Sequence, residues 1–285
     1  MEKLDFCKER SLNDSISFCF AFVKQEFKPL LKAFGLLVCP VLLVDMIMKG
    51  VLARDLADVM RADSEMPFMN MFASSAYSYL VAFVGFWWLA LFVLSYVRVY
   101  MERCEAGAEG KILPAEVWRV MCGRMGWMFV WGVLYLLIIC VGLIFFLVPG
   151  FYFAVALLPG CCFVVLRRRN AYASLEDAMK LVKGEWWNFF GYLFVLQLLV
   201  GVLAYLFTIP YMVMNFTSIF VGEVPGVYET AFGLMFSTLG QYVMSVVTVV
   251  GIAVKWYGMV EKREHSRLFR RIEELGTTEE REEVL

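Results

Sequence analysis

The sequence predicts an all-α integral membrane protein with six transmembrane helices and both termini in the cytoplasm. The 285-residue chain is 61% hydrophobic and 19% charged, whereas soluble domains are about 45–50% apolar and about 25% charged. Twenty-three of the 26 Lys and Arg residues fall on one side when the stretches between six apolar segments are assigned alternately to two sides. Because cytoplasmic loops carry the Lys/Arg excess, this partition also predicts the orientation.

Six apolar segments make up nearly half of the chain. A helix needs about 20 mostly apolar residues to cross roughly 30 Å of hydrocarbon, and only the fourth segment is short. Their apolar runs show no alternation with polar residues, which excludes barrel strands. The predicted spans cover about 30–49, 74–97, 126–148, 150–166, 189–214 and 231–254. We expect one membrane domain over 1–275 and an acidic, disordered tail over 276–285.

The stretches ahead of spans one, three and five each predict an amphipathic surface helix. The first begins at Ser11, which forms a capping-box-like start with Asp14, and the third begins at Ser174 with a similar signal. The second covers Pro114 to Met125, with proline in its first turn. Apolar residues then recur at three- and four-residue spacing. The apolar sides are Leu12, Ile16, Phe20, Val23 and Phe27, then Val117, Trp118 and Met121, and finally Leu175, Met179, Val182 and Trp186.

These similarities predict three repeats of a surface helix followed by a two-span hairpin, over about 9–98, 112–166 and 172–254. The first surface helix is longer than the third by four residues, about one helical turn. The alternative is that any basic amphipathic helix ahead of a span looks alike.

Few residues lie on the outer side. Positions 51–62 predict a short helix on the outer interface, with apolar and charged residues on opposite sides. Val148-Pro149-Gly150 predicts a tight turn between spans three and four. After span six, a basic helix is predicted from Lys255 to Leu275, ending at Gly276. Its cations favour contact with anionic lipid at the cytoplasmic face: Lys262, Arg263, Arg267, Arg270 and Arg271.

The sequence offers little for catalysis or metal binding. His265 is the only histidine, no Cys-x-x-Cys occurs, and no nucleophile-elbow or phosphate-loop motif is present. We therefore expect no cofactor, no metal site and no enzymatic activity. The net charge of −1 gives no reason to expect a nucleic-acid partner.

Three polar residues within the spans form a possible intramembrane site: Asp45, Gln197 and Gln241. An ionisable group in a span is a functional candidate. Asp45 lies near the outer end of span one, which favours an interfacial carboxylate close to water over ion coupling. The glutamines suit hydrogen bonds between helices. Four prolines interrupt or end spans: Pro40, Pro149, Pro159 and Pro210. They indicate either tight turns and kinks or the broken helices of a transport site.

One stretch of the chain, about 145–195, resembles a known family. Pro149-Gly150 leads into the short fourth span, and the next surface helix ends in Lys183-Gly-Glu-Trp-Trp187 before Phe190-Gly191. This pattern resembles the glycerophosphodiester phosphodiesterase membrane-domain family and related uncharacterised bacterial six-span membrane proteins. The resemblance implies a membrane module in the bacterial cytoplasmic (inner) membrane. It implies no hydrolase activity, because the family's phosphodiesterases carry a separate soluble catalytic domain that this chain has no room for.

Two functions remain open from the sequence. The leading hypothesis is a non-enzymatic envelope scaffold or accessory subunit that binds a membrane protein partner, because basic surface helices cover the inner side and no catalytic constellation is present. The alternative is a transporter or lipid-handling protein, which the repeat and the proline-broken spans favour.

Overall fold

The computed structural model describes the backbone of residues 6, 10–60, 67–107, 111–145, 147–221 and 226–282. Side chains are described for most of these residues, but not for 55–60 or from 265 onwards. The described part is helical: α1 (Leu12–Gln25), α2 (Phe27–Leu37), α3 (Cys39–Met60), α4 (Pro67–Glu105), α5 (Pro114–Phe145), α6 (Leu147–Leu157), α7 (Gly160–Val165), α8 (Ala171–Val182), α9 (Trp186–Val221) and α10 (Val227–Glu282).

The described helices confirm an all-α, multi-pass membrane protein. Five of them are long and apolar enough to cross a membrane, if α6 and α7 count as one, and the bent pair α2–α3 brings the number to six. The predicted spans at 74–97, 189–214 and 231–254 lie within α4, α9 and α10, and the span predicted at 126–148 coincides with α5 as far as Phe145. The short fourth span is interrupted between Leu157 and Gly160, next to Pro159.

The first predicted span, 30–49, is not one straight helix. Helix α2 ends at Leu37, and its axis makes an angle of 60° with that of α3. Pro40 explains the break, because proline cannot donate to the carbonyl four residues earlier and its ring clashes with that carbonyl. Beside the break, Trp88 of α4 donates through Nε1 to the carbonyl oxygen of Leu37 at 2.9 Å. A side chain therefore satisfies a backbone group that the bend would otherwise leave free.

The short outer helix predicted at 51–62 is wrong as a separate element. Helix α3 continues through this stretch to Met60, and residues 61–66 lie outside the described part. The first span therefore bends between Leu37 and Cys39, and its second helix continues past the end of the apolar segment at 49 as far as Met60.

The second unit of the predicted repeat also differs. The surface helix expected at Pro114–Met125 is the first part of α5, which runs on to Phe145. The turn expected at 148–150 is wrong, because these residues are helical in α6, which begins at Leu147. Pro149 falls in the first turn of α6, where its missing N–H removes no helical hydrogen bond.

Helix α10 does not end at Gly276 but continues to Glu282, so the tail expected to be disordered over 276–285 is helical up to that residue. A single interior glycine costs a helix only about 1 kcal/mol relative to alanine, which does not terminate a long helix. Residues 283–285 lie outside the described part.

Helix α10 packs against α9, α3, α4 and α1. Tyr192 of α9 donates its hydroxyl to the carbonyl oxygen of Gly251 at 3.1 Å, and the same hydroxyl lies 3.6 Å from Cys19 Sγ of α1. Burial raises the pKa of Cys19 to about 11, so this thiol is neutral at physiological pH. Helix α1 is therefore part of the bundle and does not simply lie on its surface.

Most charged contacts gather at one end of the bundle, which we call the basic end. It comprises α1, α8, the C-terminal end of α4, the N-terminal end of α5 and residues 167–169. Ion pairs join these elements to the C-terminal half of α10. Arg167 pairs with Glu264, and Lys262 pairs with Glu185 at 2.6 Å.

Helix α1 begins as predicted but buries a different face. Ser11 is its N-cap and accepts a hydrogen bond from the Asp14 N–H at 3.2 Å. Phe27, expected on the apolar side, is 55% exposed. The buried positions are offset from the predicted stripe, whose residues Leu12, Ile16, Phe20 and Val23 are only partly buried against the core. The buried positions themselves are Ser15, Phe18, Cys19 and Phe22.

Helix α8 begins earlier than predicted. Asn170 is the N-cap, and Ser174 lies inside the helix, where its Oγ donates to the Asn170 carbonyl at 2.8 Å. The start predicted at Ser174 is therefore wrong, because its hydroxyl bonds back along the helix. Met179, expected on the apolar side, is 44% exposed. The buried positions are Ala171, Ser174, Ala178, Leu181 and Val182.

Helices α1 and α8 match in one register without a gap, so the predicted four-residue length difference is wrong. Ser15 donates to the Ser11 carbonyl at 2.9 Å, as Ser174 does to that of Asn170. The aligned pairs are the N-caps Ser11 and Asn170, the serines Ser15 and Ser174, the buried pairs Cys19 with Ala178 and Phe22 with Leu181, and the following Glu26 and Glu185. This shared local structure supports a repeat between the first and third units.

Close packing of α5 against α6 yields a testable prediction. A Cβ added at Gly142 would lie 2.8 Å from the Gly150 Cα, whereas one at Gly126 would meet nothing within 4 Å. We expect Gly142→Ala to destabilise the protein by about 1–3 kcal/mol. Gly126→Ala should leave the Tm unchanged or raise it, because alanine favours a helix. Thermal unfolding in detergent measures both, and equal Tm values for the two variants would contradict the packing.

Candidate functional site

A cavity of about 600 Å³ opens at the basic end between the end of α4, the start of α5 and the loop after α7. Pockets of roughly 300–1,000 Å³ suit small ligands. Its charged lining is strongly basic, with three more positive than negative groups. These are Arg98, Arg103, Arg119, Arg124 and Arg168, with Glu102 and Glu116.

Arg98 forms the floor of the cavity and is only 8% exposed. Its Nη1 donates to the carbonyl oxygen of Val165 at 2.8 Å, and its Nε and Nη2 both donate to Glu102 Oε1 at 2.8 Å. Val165 is the last residue of α7, where the helix dipole favours a cation. Arg98 therefore ties α4 to the end of α7 and holds Glu102 in place.

Arg168 extends from the loop over this floor. Its backbone adopts φ 55°, a left-handed conformation that costs non-glycine residues roughly 1–2 kcal/mol. The reversal lets the Arg169 N–H donate to the Phe163 carbonyl at 3.1 Å. The Arg168 guanidinium is largely exposed and lies 3.9 Å from Glu102. An arginine thus stands where glycine would fit best, and its side chain lines the cavity.

The opposite wall comes from successive turns of α5. Arg119 and Arg124 line it and make no hydrogen bond or ion pair with the residues that the structure describes. Arg124 is repelled by the charges of Arg98 and Arg168. Arg103, by contrast, is engaged by both carboxylate oxygens of Glu116 at 2.7 and 2.8 Å.

Three guanidinium groups with spare donors therefore converge on one space: Arg119, Arg124 and Arg168. Guanidinium groups bind phosphate and carboxylate through paired, charge-assisted hydrogen bonds. An anion in the cavity would relieve the repulsion among these cations. Among the described residues, no group of three or more His, Cys, Asp or Glu could hold a metal ion. The arrangement is suited to binding an anion.

Comparison of the chain with protein-family models, with curated proteins and with solved structures found no match. The resemblance of 145–195 to the glycerophosphodiester phosphodiesterase membrane-domain family therefore stays a prediction.

The three polar residues predicted within the spans do not share the same environment. Asp45 is 1% exposed and buried where α3 packs against α10, and its interfacial position along the span stays a prediction. Gln197 and Gln241 are exposed. Gln241 bonds within its own helix, to Ser237 Oγ at 3.4 Å. Within the spans, the Thr208 and Ser237 hydroxyls lie 3.1 Å apart and link α9 to α10, as the Tyr192–Gly251 hydrogen bond also does.

Two of the five predicted lipid-contacting cations have protein partners. Lys262 Nζ donates to Glu185 Oε1 at 2.6 Å, and this bond lowers the pKa of Glu185. Arg263 donates to the Lys183 carbonyl at 3.1 Å. The side chains of Arg267, Arg270 and Arg271 lie outside the described residues.

Sequence reasoning placed the cavity arginines on the inner side but did not bring them together. Two local signals could have singled them out. Arg98 interrupts an apolar run near the end of span two, and Arg167-Arg168-Arg169 follows the fourth span directly. The pairing of α4 with α5 and α7 was not visible, because it depends on contacts between distant parts of the chain.

The backbone of Arg168 yields a prediction that separates folding from ligand binding. Glycine adopts φ 55° without strain, whereas alanine retains the strain and also loses the guanidinium. We expect Arg168→Gly to unfold at a Tm equal to or above that of Arg168→Ala, corresponding to about 1 kcal/mol. Calorimetry or a thermal-shift assay in detergent measures this order. A Tm for Arg168→Gly several degrees below that of Arg168→Ala would contradict it.

Proposed function

We propose that the protein is a non-enzymatic, lipid-handling membrane protein whose arginine-lined cavity binds the phosphate group of an anionic lipid. The cavity carries the proposal: its lining has three more positive than negative groups, and Arg119 and Arg124 face it without an acceptor among the described residues. Each charge-assisted hydrogen bond to such a group contributes roughly 1.5–3 kcal/mol.

An apolar stripe on α5, which continues from the cavity towards the C-terminal end of that helix, favours a lipid over a soluble anion as the ligand. Gly123 lines the cavity, and Trp127, one turn further along α5, is 40% exposed. Helical spacing continues this side of α5 with apolar residues that are partly or largely exposed: Val130, Leu134, Leu137 and Val141. An acyl chain can lie along this stripe while its headgroup phosphate occupies the cavity.

The orientation that we propose puts the basic end in the cytoplasm of a bacterium. The Lys and Arg distribution supports it, because that excess marks cytoplasmic loops. The inner leaflet would then supply anionic headgroups at the depth of the cavity. The resemblance to the glycerophosphodiester phosphodiesterase membrane-domain family supports the bacterial inner membrane and a role without hydrolysis.

The scaffold or accessory-subunit hypothesis stays a prediction. No described surface favours a protein partner over lipid, because the exposed apolar residues lie largely on helices long enough to span the bilayer. Mass spectrometry of proteins that co-purify in mild detergent tests it, and recovery of the bare protein would count against it.

Lipid titration of the purified protein tests the cavity. Delipidated protein in detergent is titrated with phosphatidylglycerol, phosphatidylcholine or glycerol phosphate, and bound ligand is counted by native mass spectrometry. We expect phosphatidylglycerol to bind most tightly, and Arg124→Gln and Arg168→Gly each to weaken it about tenfold, since 1.4 kcal/mol corresponds to tenfold.

Lys180→Gln is the matched control, because Lys180 is an exposed cation of α8 outside this cavity. It should bind phosphatidylglycerol like the unmodified protein. Glycerol phosphate binding as tightly as the lipid would identify a soluble anion as the ligand. Equal lipid binding by all variants would show that the cavity is not the site.

A further inference from the structure

Away from the arginine-lined cavity, the structure contains a carboxyl group buried among membrane-spanning helices. Asp45 belongs to α3, which continues for about 22 Å beyond it at 1.5 Å per residue. The residue lies about two turns after the start of α3 and far from its C-terminal end, and it is 1% exposed. Helix α3 packs against both α4 and α10.

The surroundings of Asp45 leave one carboxyl oxygen, Oδ1, without a hydrogen bond among the described residues. The Tyr242 hydroxyl of α10 lies beside the carboxyl group. Neither Asp45 Oδ1 nor Tyr242 Oη makes a hydrogen bond within the described residues. Gly85 of α4 makes room for this pair, because a Cβ there would lie 1.7 Å from Tyr242 Oη.

Few charges are available to balance an ionised Asp45. Lys49, one turn along α3, is the cation that acts on it. Helix α10 contributes Tyr242, which is neutral, and α4 has no charged residue before Arg98. A carboxylate buried without full pairing is strongly unfavourable, whereas a protonated carboxyl is neutral and gains an O–H donor that Tyr242 can accept.

We propose that Asp45 is a proton-binding site inside the membrane. The carboxylate takes up a proton from water when α3, α4 and α10 pack around it, and returns that proton to water when they separate. The 60° bend between α2 and α3 lies two turns from Asp45, and it gives α3 a place to move. This proposal rests on contacts separate from the arginine-lined cavity, so either can fail without the other.

Two carbodiimides of opposite solubility test the proposal. Dicyclohexylcarbodiimide enters the membrane and reacts with protonated carboxyls, forming an N-acylurea when water is excluded. The water-soluble reagent EDC, with an added amine, labels carboxyls that face water. The protein in liposomes at neutral pH is treated with each reagent, and peptides are analysed by mass spectrometry.

We expect dicyclohexylcarbodiimide to label Asp45 and EDC to spare it. Glu176, an exposed carboxylate of α8, is the internal reference and should show the reverse pattern. Asp45→Asn should lose the dicyclohexylcarbodiimide label completely, while Tyr242→Phe, which keeps the apolar surroundings, should retain it. Labelling of Asp45 by EDC, or no dicyclohexylcarbodiimide label at Asp45 while Glu176 reacts normally with EDC, would overturn the proposal. The labelling of the unmodified protein decides the question even if a variant fails to fold.

Discussion

The basic end depends on one hydrogen bond, from Arg98 to the Val165 carbonyl. It closes the end of α7, whose last carbonyl has no partner in its own helix, with a cation that is itself buried. Because Arg98 also holds Glu102, the same residue sets the floor of the cavity and the position of the acidic group facing Arg168. Removing Arg98 would leave the Val165 carbonyl without this donor and Glu102 with only the more distant Arg168, so this residue links fold and site.

The same requirement, that polar groups find partners away from water, explains the other irregular features. Pro40 breaks the first span, and Trp88 satisfies the Leu37 carbonyl beside the break. Tyr192 satisfies the Gly251 carbonyl between α9 and α10. Asp45 is a different case, because its surroundings hold one hydroxyl and one nearby cation, Lys49, and protonation would remove a buried charge that these do not balance.

The membrane class and most spans could be predicted because the length of apolar segments and the distribution of Lys and Arg can be seen directly along the chain, without contacts between distant residues. Contacts between helices could not. Ser174 reads as an N-cap but lies inside α8, since serine can bond backward along a helix as well as forward. Asp45 reads as interfacial because the apolar segment ends near it, and its burial against α10 depends on a contact between distant parts of the chain. The cavity combines arginines from three distant stretches, and one sequence holds no information on their pairing.

The most direct test of the central claim is an experimental structure in nanodiscs containing phosphatidylglycerol. We expect density for a phosphate group within hydrogen-bond distance of Arg119, Arg124 or Arg168, with an acyl chain along α5 past Trp127. A well-resolved cavity that contains no lipid phosphate, with lipid headgroups bound elsewhere on the protein, would contradict it.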